Sequence, residues 1–190
     1  FDELGRLYAT DSSGLSEKAE KQFAEKPHRI VRLGDRDGDR RYETSTVFAE
    51  GMMFPQGAMF HEGSLYVGAP PHIWKLTDTN DDGVADRRET WFDGKTLTGC
   101  ANDLHGPYLG PEGWFYWTKG AFAEQRHTLG NGREFVTRAA HIFRARPDGT
   151  VGRRGLVNAS PAWTVQPRPR LGHYSKLRGQ CKTSLPTMTT

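Results

Sequence analysis

The twelve residues from Asp78 to Glu89 read DTNDDGVADRRE and place an oxygen-bearing side chain at positions 1, 3, 5, 9 and 12. Ca²⁺ takes six to eight oxygens at flexible geometry, and a twelve-residue loop supplies them at those positions and from the carbonyl at position 7. The expected ligands are therefore Asp78, Asn80, Asp82, the carbonyl of Val84, Asp86 and Glu89, with Gly83 at the sharp turn of position 6. A solvated Asp/Gly turn between strands is the plain alternative. An earlier stretch, DRDGDRRYETST, repeats the spacing with Asp35, Asp37, Asp39 and Glu43 at positions 1, 3, 5 and 9. It has Arg40 at position 6 and Thr46 at position 12, so a weaker site is expected there. The flanks, HIWKL and TWF, have strand character, which predicts a structural calcium loop bridging strands rather than a loop between helices.

A second group of chemically capable residues is Asn102, Asp103 and His105, within NDLHG. A histidine beside a carboxylate suits general base work, because the carboxylate fixes the tautomer and raises basicity. Asp103 and His105 share a face if the segment is extended. A turn network that ties neighbouring elements together has equal claim to the same residues. Lys119 opens an insertion over 120–140, and Lys119 and Arg138 could meet an anionic cofactor or substrate. Insertions on a repeated scaffold are often where binding resides.

The elements that must position these groups recur along the chain. GRLYAT (5–10), GSLYVG (63–68) and GWFYWT (113–118) form one phrase; HRIVRLGD (28–35), HIWKLTD (72–78) and HIFRARPD (141–148) form another. Aromatic and β-branched residues in short alternation predict strands, near Leu7–Ala9, Ile30–Leu33, Leu65–Gly68, Ile73–Leu76, Phe115–Thr118 and Ile142–Arg144. The order is constant: a Gly-led strand, a His-Ile strand, then an acidic turn. His28, His72 and His141 hold equivalent places, which points to packing rather than catalysis. A period of this length built from short strands predicts an all-β chain of antiparallel strands, a partial β-propeller of about three blades over 1–150. A β-sandwich is the alternative. Closed propellers need about four to eight blades.

Composition agrees with that class. The 190 residues include 22 Gly and 11 Pro, with only 35% hydrophobic, a turn-rich balance. The net charge of +3 hides a split, since all 23 acids lie at or before Asp148 and residues 151–190 hold seven Lys and Arg with no acid. That basic tail shows no period, is expected to be irregular or disordered, and argues poorly for nucleic-acid binding. Cys100 and Cys181 have no metal or redox spacing, and there is no CxxCH haem site in this chain. No apolar run approaches the roughly 18 residues of a membrane span, and no targeting signal is read in this chain. The chain reads as an excerpt of something longer.

The segment from Phe54 to Phe122, above all NDLHGPYLGPEGWFYW, resembles the putative membrane-bound dehydrogenase propellers of planctomycete-type bacteria. These are similar to quinoprotein glucose and sorbosone dehydrogenases, and the resemblance covers residues 1 to about 150. It implies secretion or membrane attachment, an extracytoplasmic (periplasmic or membrane-associated) location and a haem domain downstream in the parent protein. It also implies oxidation of a sugar or small alcohol with electrons passed to pyrroloquinoline quinone. The family's catalytic histidine lies upstream of a strand matched here by GPEGWFY (110–116). At the family's spacing, eight residues before Gly110, stands Asn102; the histidine at hand is His105, five before. His105 with Asp103 is then the expected base, and Asn102, Lys119 and Arg138 the expected cofactor contacts. The competing function is a non-catalytic, calcium-stabilised propeller that binds carbohydrate or a protein partner.

Overall fold

A computed structural model describes residues 1–12, 19–95, 104–120, 124–128, 132–137 and 140–149. The chain divides after Ala159, and every described residue belongs to the first unit. The expected irregular tail over 151–190 lies outside the described residues.

The fold is all-β and antiparallel, as the sequence predicts, with a single short helix among the described residues. β1 (Leu7–Asp11), β2 (His28–Gly34) and β3 (Thr44–Met52) form one sheet in chain order, with α1 (Ala19–Glu25) between β1 and β2. β4 (Ala58–His61), β5 (Ser64–Ala69), β6 (His72–Thr77) and β7 (Arg87–Asp93) form a four-stranded meander. β8 (His105–Leu109), β9 (Phe115–Lys119) and β12 (His141–Ala145) form the third sheet, and a hairpin of β10 (Gln125–Thr128) and β11 (Glu134–Thr137) interrupts it. Three successive meanders of this kind are the units of a propeller, and none closes into a barrel.

All six predicted strands are present. The two repeated phrases are strand partners: β1 pairs with β2, β5 with β6, and β9 with β12. The register is equivalent in the three copies. Tyr8 faces Arg32, Tyr66 faces Lys75, and Tyr116 faces Arg144 across the ladder. The tyrosine of one phrase and the basic residue of the other are thus one cross-strand pair.

Alternation along the strands divides each sheet into two faces. On the middle sheet, Leu65, Val67, Ala69 and Leu76 pack toward the first sheet, against Ile30, Phe48 and Met52. Ile73 points the other way, into a cluster with Leu104, Trp117 and Phe143 of the third-sheet segment. All six residues of β5 are therefore buried. The Tyr–basic face of the first and of the second sheet is the one that meets the following sheet: Tyr8 stacks on Phe60 at 5.5 Å, and Tyr66 meets Phe115 edge-on at 4.9 Å.

The first copy is anchored by Asp2, whose carboxylate is buried. It accepts the backbone N–H of Leu4 (3.0 Å) and Arg6 (2.9 Å), the Arg6 Nε–H (2.5 Å) and the Tyr8 hydroxyl (3.1 Å). Burial acts to raise its pKa, but the Arg6 and Tyr8 contacts outweigh it and hold the carboxyl below its ordinary value. Burial and the nearby Asp2 charge push Tyr8 up to about 12. Asp2→Ala leaves these donors without an acceptor and should lower stability by about 2–3 kcal/mol, measured by urea unfolding at pH 7. A depressed carboxyl pKa contributes stability above its unfolded value of 3.8 that is lost as pH falls through the folded value. The difference between wild type and Asp2→Ala should therefore shrink below about pH 4; an undiminished difference there would assign the effect to shape alone.

Candidate functional site

The sheets place the candidate chemistry at two opposite ends. In an antiparallel meander, alternate connections lie at the same end. The β4–β5 turn and the acidic β6–β7 connection share one end of the middle sheet. The Pro70-Pro71 turn, the end of β7 and the starts of β6 and β8 share the other. The acidic loops are thus separated from the histidines.

The two acidic loops have one conformation in spite of different sequences. Position 6 donates its N–H to the carboxylate of position 1 in both, from Arg40 to Asp35 (2.8 Å) and from Gly83 to Asp78 (2.8 Å). Position 9 accepts from position 2 in both, Glu43 from Arg36 (2.9 Å) and Asp86 from Thr79 (3.2 Å). Positions 4 and 6 have positive φ in each, filled by Gly38 and Arg40 in one loop and by Asp81 and Gly83 in the other. Where the loops differ is in their neighbours. Asp35, Asp37, Asp39 and Glu43 bring one carboxylate oxygen each to within 4.8 Å of one another, the single such acidic group among the described residues.

The Asp78 loop is instead held by two arginines, Arg32 of β2 and Arg6 just before β1. Arg32 Nη1 lies 3.3 Å from Asp78 Oδ2, and Arg6 Nη1 lies 2.6 Å from Asp81 Oδ1. A Cβ on Gly83 would overlap the Arg32 guanidinium, so this glycine admits the arginine as well as supplying φ +97°. Glu89, expected at position 12, sits inside β7 opposite Lys75 and is bound by Arg87 at 2.9 Å. Val84, expected to offer its carbonyl, is exposed and donates its N–H to Asp82. Spacing alone favoured this loop; the structure gathers carboxylates in the other.

At the opposite end, His105 opens β8, half-buried and opposite Thr118. Burial alone holds its pKa below the ordinary 6.5. Lys119 ends β9 with only 2% exposure, and its ammonium donates to the Gly120 carbonyl at 3.1 Å. Asn102, Asp103 and Arg138 lie outside the described residues. The repeated histidines pack: buried His28 accepts the Phe54 N–H at Nδ1 (3.2 Å), and His72 lies edge-on to Trp74 with Asp93 3.6 Å away.

A cavity of about 360 Å³ opens between β7, β9 and β10, walled by Trp91, Phe92, Trp117 and His127. Asp93, Lys95 and Arg126 stand around it. The charges are compensated locally, Lys95 by Asp93 (2.6 Å) and Arg126 by Glu124 (2.6 Å). Trp117 is 1% exposed, and its indole N–H finds no acceptor among the described residues. Sequence reasoning missed this site because its walls come from unrelated phrases. A clue was present in the insertion, whose QRHT stretch supplies Arg126 and His127.

Fold and site together define an all-β repeat protein with structural acidic loops at one end of its sheets and an aromatic cavity between two of them. The chain belongs to the family described as domain of unknown function (DUF7133), whose model matches residues 1–163. No curated protein and no solved structure matches the chain.

Four histidines, His28, His72, His105 and His127, have pKa values lowered chiefly by burial. Each takes up a proton more readily once unfolded, so stability is complete above the unfolded value of 6.5 and is lost as pH falls toward the folded values. The urea midpoint should rise between about pH 5 and pH 7. His28→Gln with His127→Gln should flatten that rise; an unchanged slope would remove these two residues from the account.

Proposed function

We propose that this chain is a calcium-stabilised, propeller-type binding domain whose ligand is a small neutral carbohydrate seated in the cavity against Trp91, Phe92 and His127. The observation that carries this reading is the cavity itself. Its volume lies at the small end of ligand pockets. The half-buried Trp91 and Phe92 rings suit the apolar faces of a sugar ring, and Asp93 and Arg126 at the mouth can bond its hydroxyls. Because Asp93 and Lys95 neutralise one another, they offer hydrogen-bonding groups without a net charge.

A panel of mono- and disaccharides, followed by calorimetry, tests the reading. A saccharide should bind, and Arg126→Ala, at the mouth of the cavity, should weaken it about tenfold. Absence of any saccharide with Kd below about 10 mM would end the proposal.

Calcium belongs to the same reading, at the Asp35–Glu43 loop. That loop has four carboxylates in reach of one ion but lacks the bidentate position-12 glutamate, which suits an affinity of about 10⁻⁴–10⁻³ M. Sites that weak are filled where calcium is plentiful, in keeping with an extracytoplasmic location. At about 10 mM Ca²⁺ the expected stabilisation is about 1–3 kcal/mol. Asp37→Ala should abolish it, whereas Asp82→Ala should leave most of it. The reverse pattern would return the site to the Asp78 loop, and equal melting in calcium and chelator would remove it.

One observation favours a second reading, oxidation of a sugar or alcohol. Burial keeps His105 neutral at pH 7, so its ring can accept a proton from a substrate hydroxyl. Dye-linked oxidation in the presence of pyrroloquinoline quinone should then be measurable, and His105→Ala should lower kcat by about 10². Absence of any oxidation across a sugar and alcohol panel would leave the binding reading alone.

A further inference from the structure

A second recess lies between the first and second sheets, apart from the aromatic cavity. It encloses about 320 Å³, at the small end of ligand pockets. β3 contributes Val47 and Ala49 to its apolar wall, the β6–β7 connection contributes Val84 and Ala85, and Phe48 and Leu76 lie buried beneath. Val84 is 45% exposed and Val47 36% exposed, so this wall is open to a ligand.

Contacts within the chain hold the recess in shape. β3 carries an extra residue at Phe48, since Ile30 faces Ala49 and Val31 faces Val47. The Phe48 carbonyl accepts the Ala85 N–H at 2.8 Å. Arg88 of β7 reaches back to β3, where Nη1 donates to the Glu50 carbonyl at 3.1 Å and Nη2 to the Gly51 carbonyl at 3.3 Å. Its guanidinium also lies 4.2 Å from the Trp74 ring. A guanidinium fixed in this way loses little freedom when an anion binds its remaining N–H groups.

Among the described residues, Glu50 and Arg88 are the charged groups that line the recess. Arg88 meets the main-chain carbonyl of Glu50 and not its carboxylate, so the two charges do not neutralise one another. Partial burial lowers the Arg88 pKa, and no carboxylate opposes that shift. Both side chains keep an exposed part. Two opposite charges thus stand unpaired beside one apolar wall. A fatty acid or the end of a protein chain would answer only one of them, and a neutral sugar neither.

We propose that this recess binds a small apolar zwitterion, a hydrophobic α-amino acid or dipeptide, with its carboxylate on Arg88, its ammonium on Glu50 and its side chain against Val47, Val84 and Ala85. The charge-assisted bonds at the two ends fix the ligand's direction, and the apolar wall selects a side chain such as that of leucine. The proposal is independent of the carbohydrate reading, because the aromatic cavity shares none of these residues.

Calorimetry on the full 190-residue chain tests it. Leucine or Leu-Leu should bind with a Kd of about 1 mM or below, and the tighter of the two tells an amino-acid site from a dipeptide site. Blocking that ligand's carboxylate as the amide, or its ammonium by acetylation, should each weaken binding about tenfold. Arg88→Gln should weaken the free ligand about tenfold and erase its advantage over the amide; Glu50→Gln should do the same against the acetylated form. Glu50 is exposed, so Glu50→Gln should keep the wild-type urea midpoint, and this arm decides the matter even if Arg88→Gln does not fold. Absence of binding by leucine and Leu-Leu below about 10 mM would overturn the proposal. So would a blocked form that binds as tightly as the free ligand, since the occupant would then need only one charge, or a discrimination against the acetylated form that survives in Glu50→Gln.

Discussion

Burial of β5 on both faces is the constraint from which the rest of this structure follows. A strand with one wet face can be finished by a single neighbour, but Ser64–Ala69 is buried along its whole length and needs a sheet on each side. The first sheet covers Leu65 and Val67, and the third covers the Tyr66 face. Each of those covering sheets then has its own outer face to manage. The requirement moves outward by one sheet at a time, which is why a chain of this kind is built by repetition.

The cross-strand Tyr–basic pair shows how one phrase serves that scheme. Its tyrosine supplies apolar area to the next sheet, while its cation sits at the rim and is free to meet whatever acidic loop arrives there. Arg32 meets Asp78. Once that contact forms, the loop's cation is a guanidinium. The Asp35 loop has the same backbone and no arginine from another sheet among the described residues, and its four carboxylates converge. Ligand spacing and ligand availability are different properties, and the second depends on the adjacent sheet.

The candidate sites illustrate the same division of labour within a sheet. Structural loops occupy one end, where short turns suffice. The other end carries His105 and the Pro70-Pro71 turn, while Arg126 and His127 of the β10–β11 insertion help to wall the space near Trp117. Burial there lowers the pKa of several histidines, and that serves packing at His28 as readily as chemistry at His105. A neutral imidazole is necessary for a base but common in a core, so the aromatic cavity carries more of the functional reading than the histidines do.

Much of the fold was legible in the sequence because the repeat is written in strand-forming residues at fixed order. Six strands and the equivalence of His28, His72 and His141 follow from two phrases repeated three times, whereas the pairing of one phrase with the other came from the structure. The strands outside those phrases, such as β3 and β8, carry no comparable signal; the Tyr108 and Tyr116 register is a tertiary fact. The acidic loops were visible as spacing, yet which of them gathers carboxylates was decided by Arg6 and Arg32, 72 and 46 residues before Asp78 along the chain. The cavity was least legible, since Trp91, Trp117 and His127 come from three strands and share no motif. Sequence by itself determines what is local: strand propensity, turn chemistry and the order of the repeat. Which charges meet and which rings enclose a space depends on how the sheets face one another, and only the tertiary structure decides that.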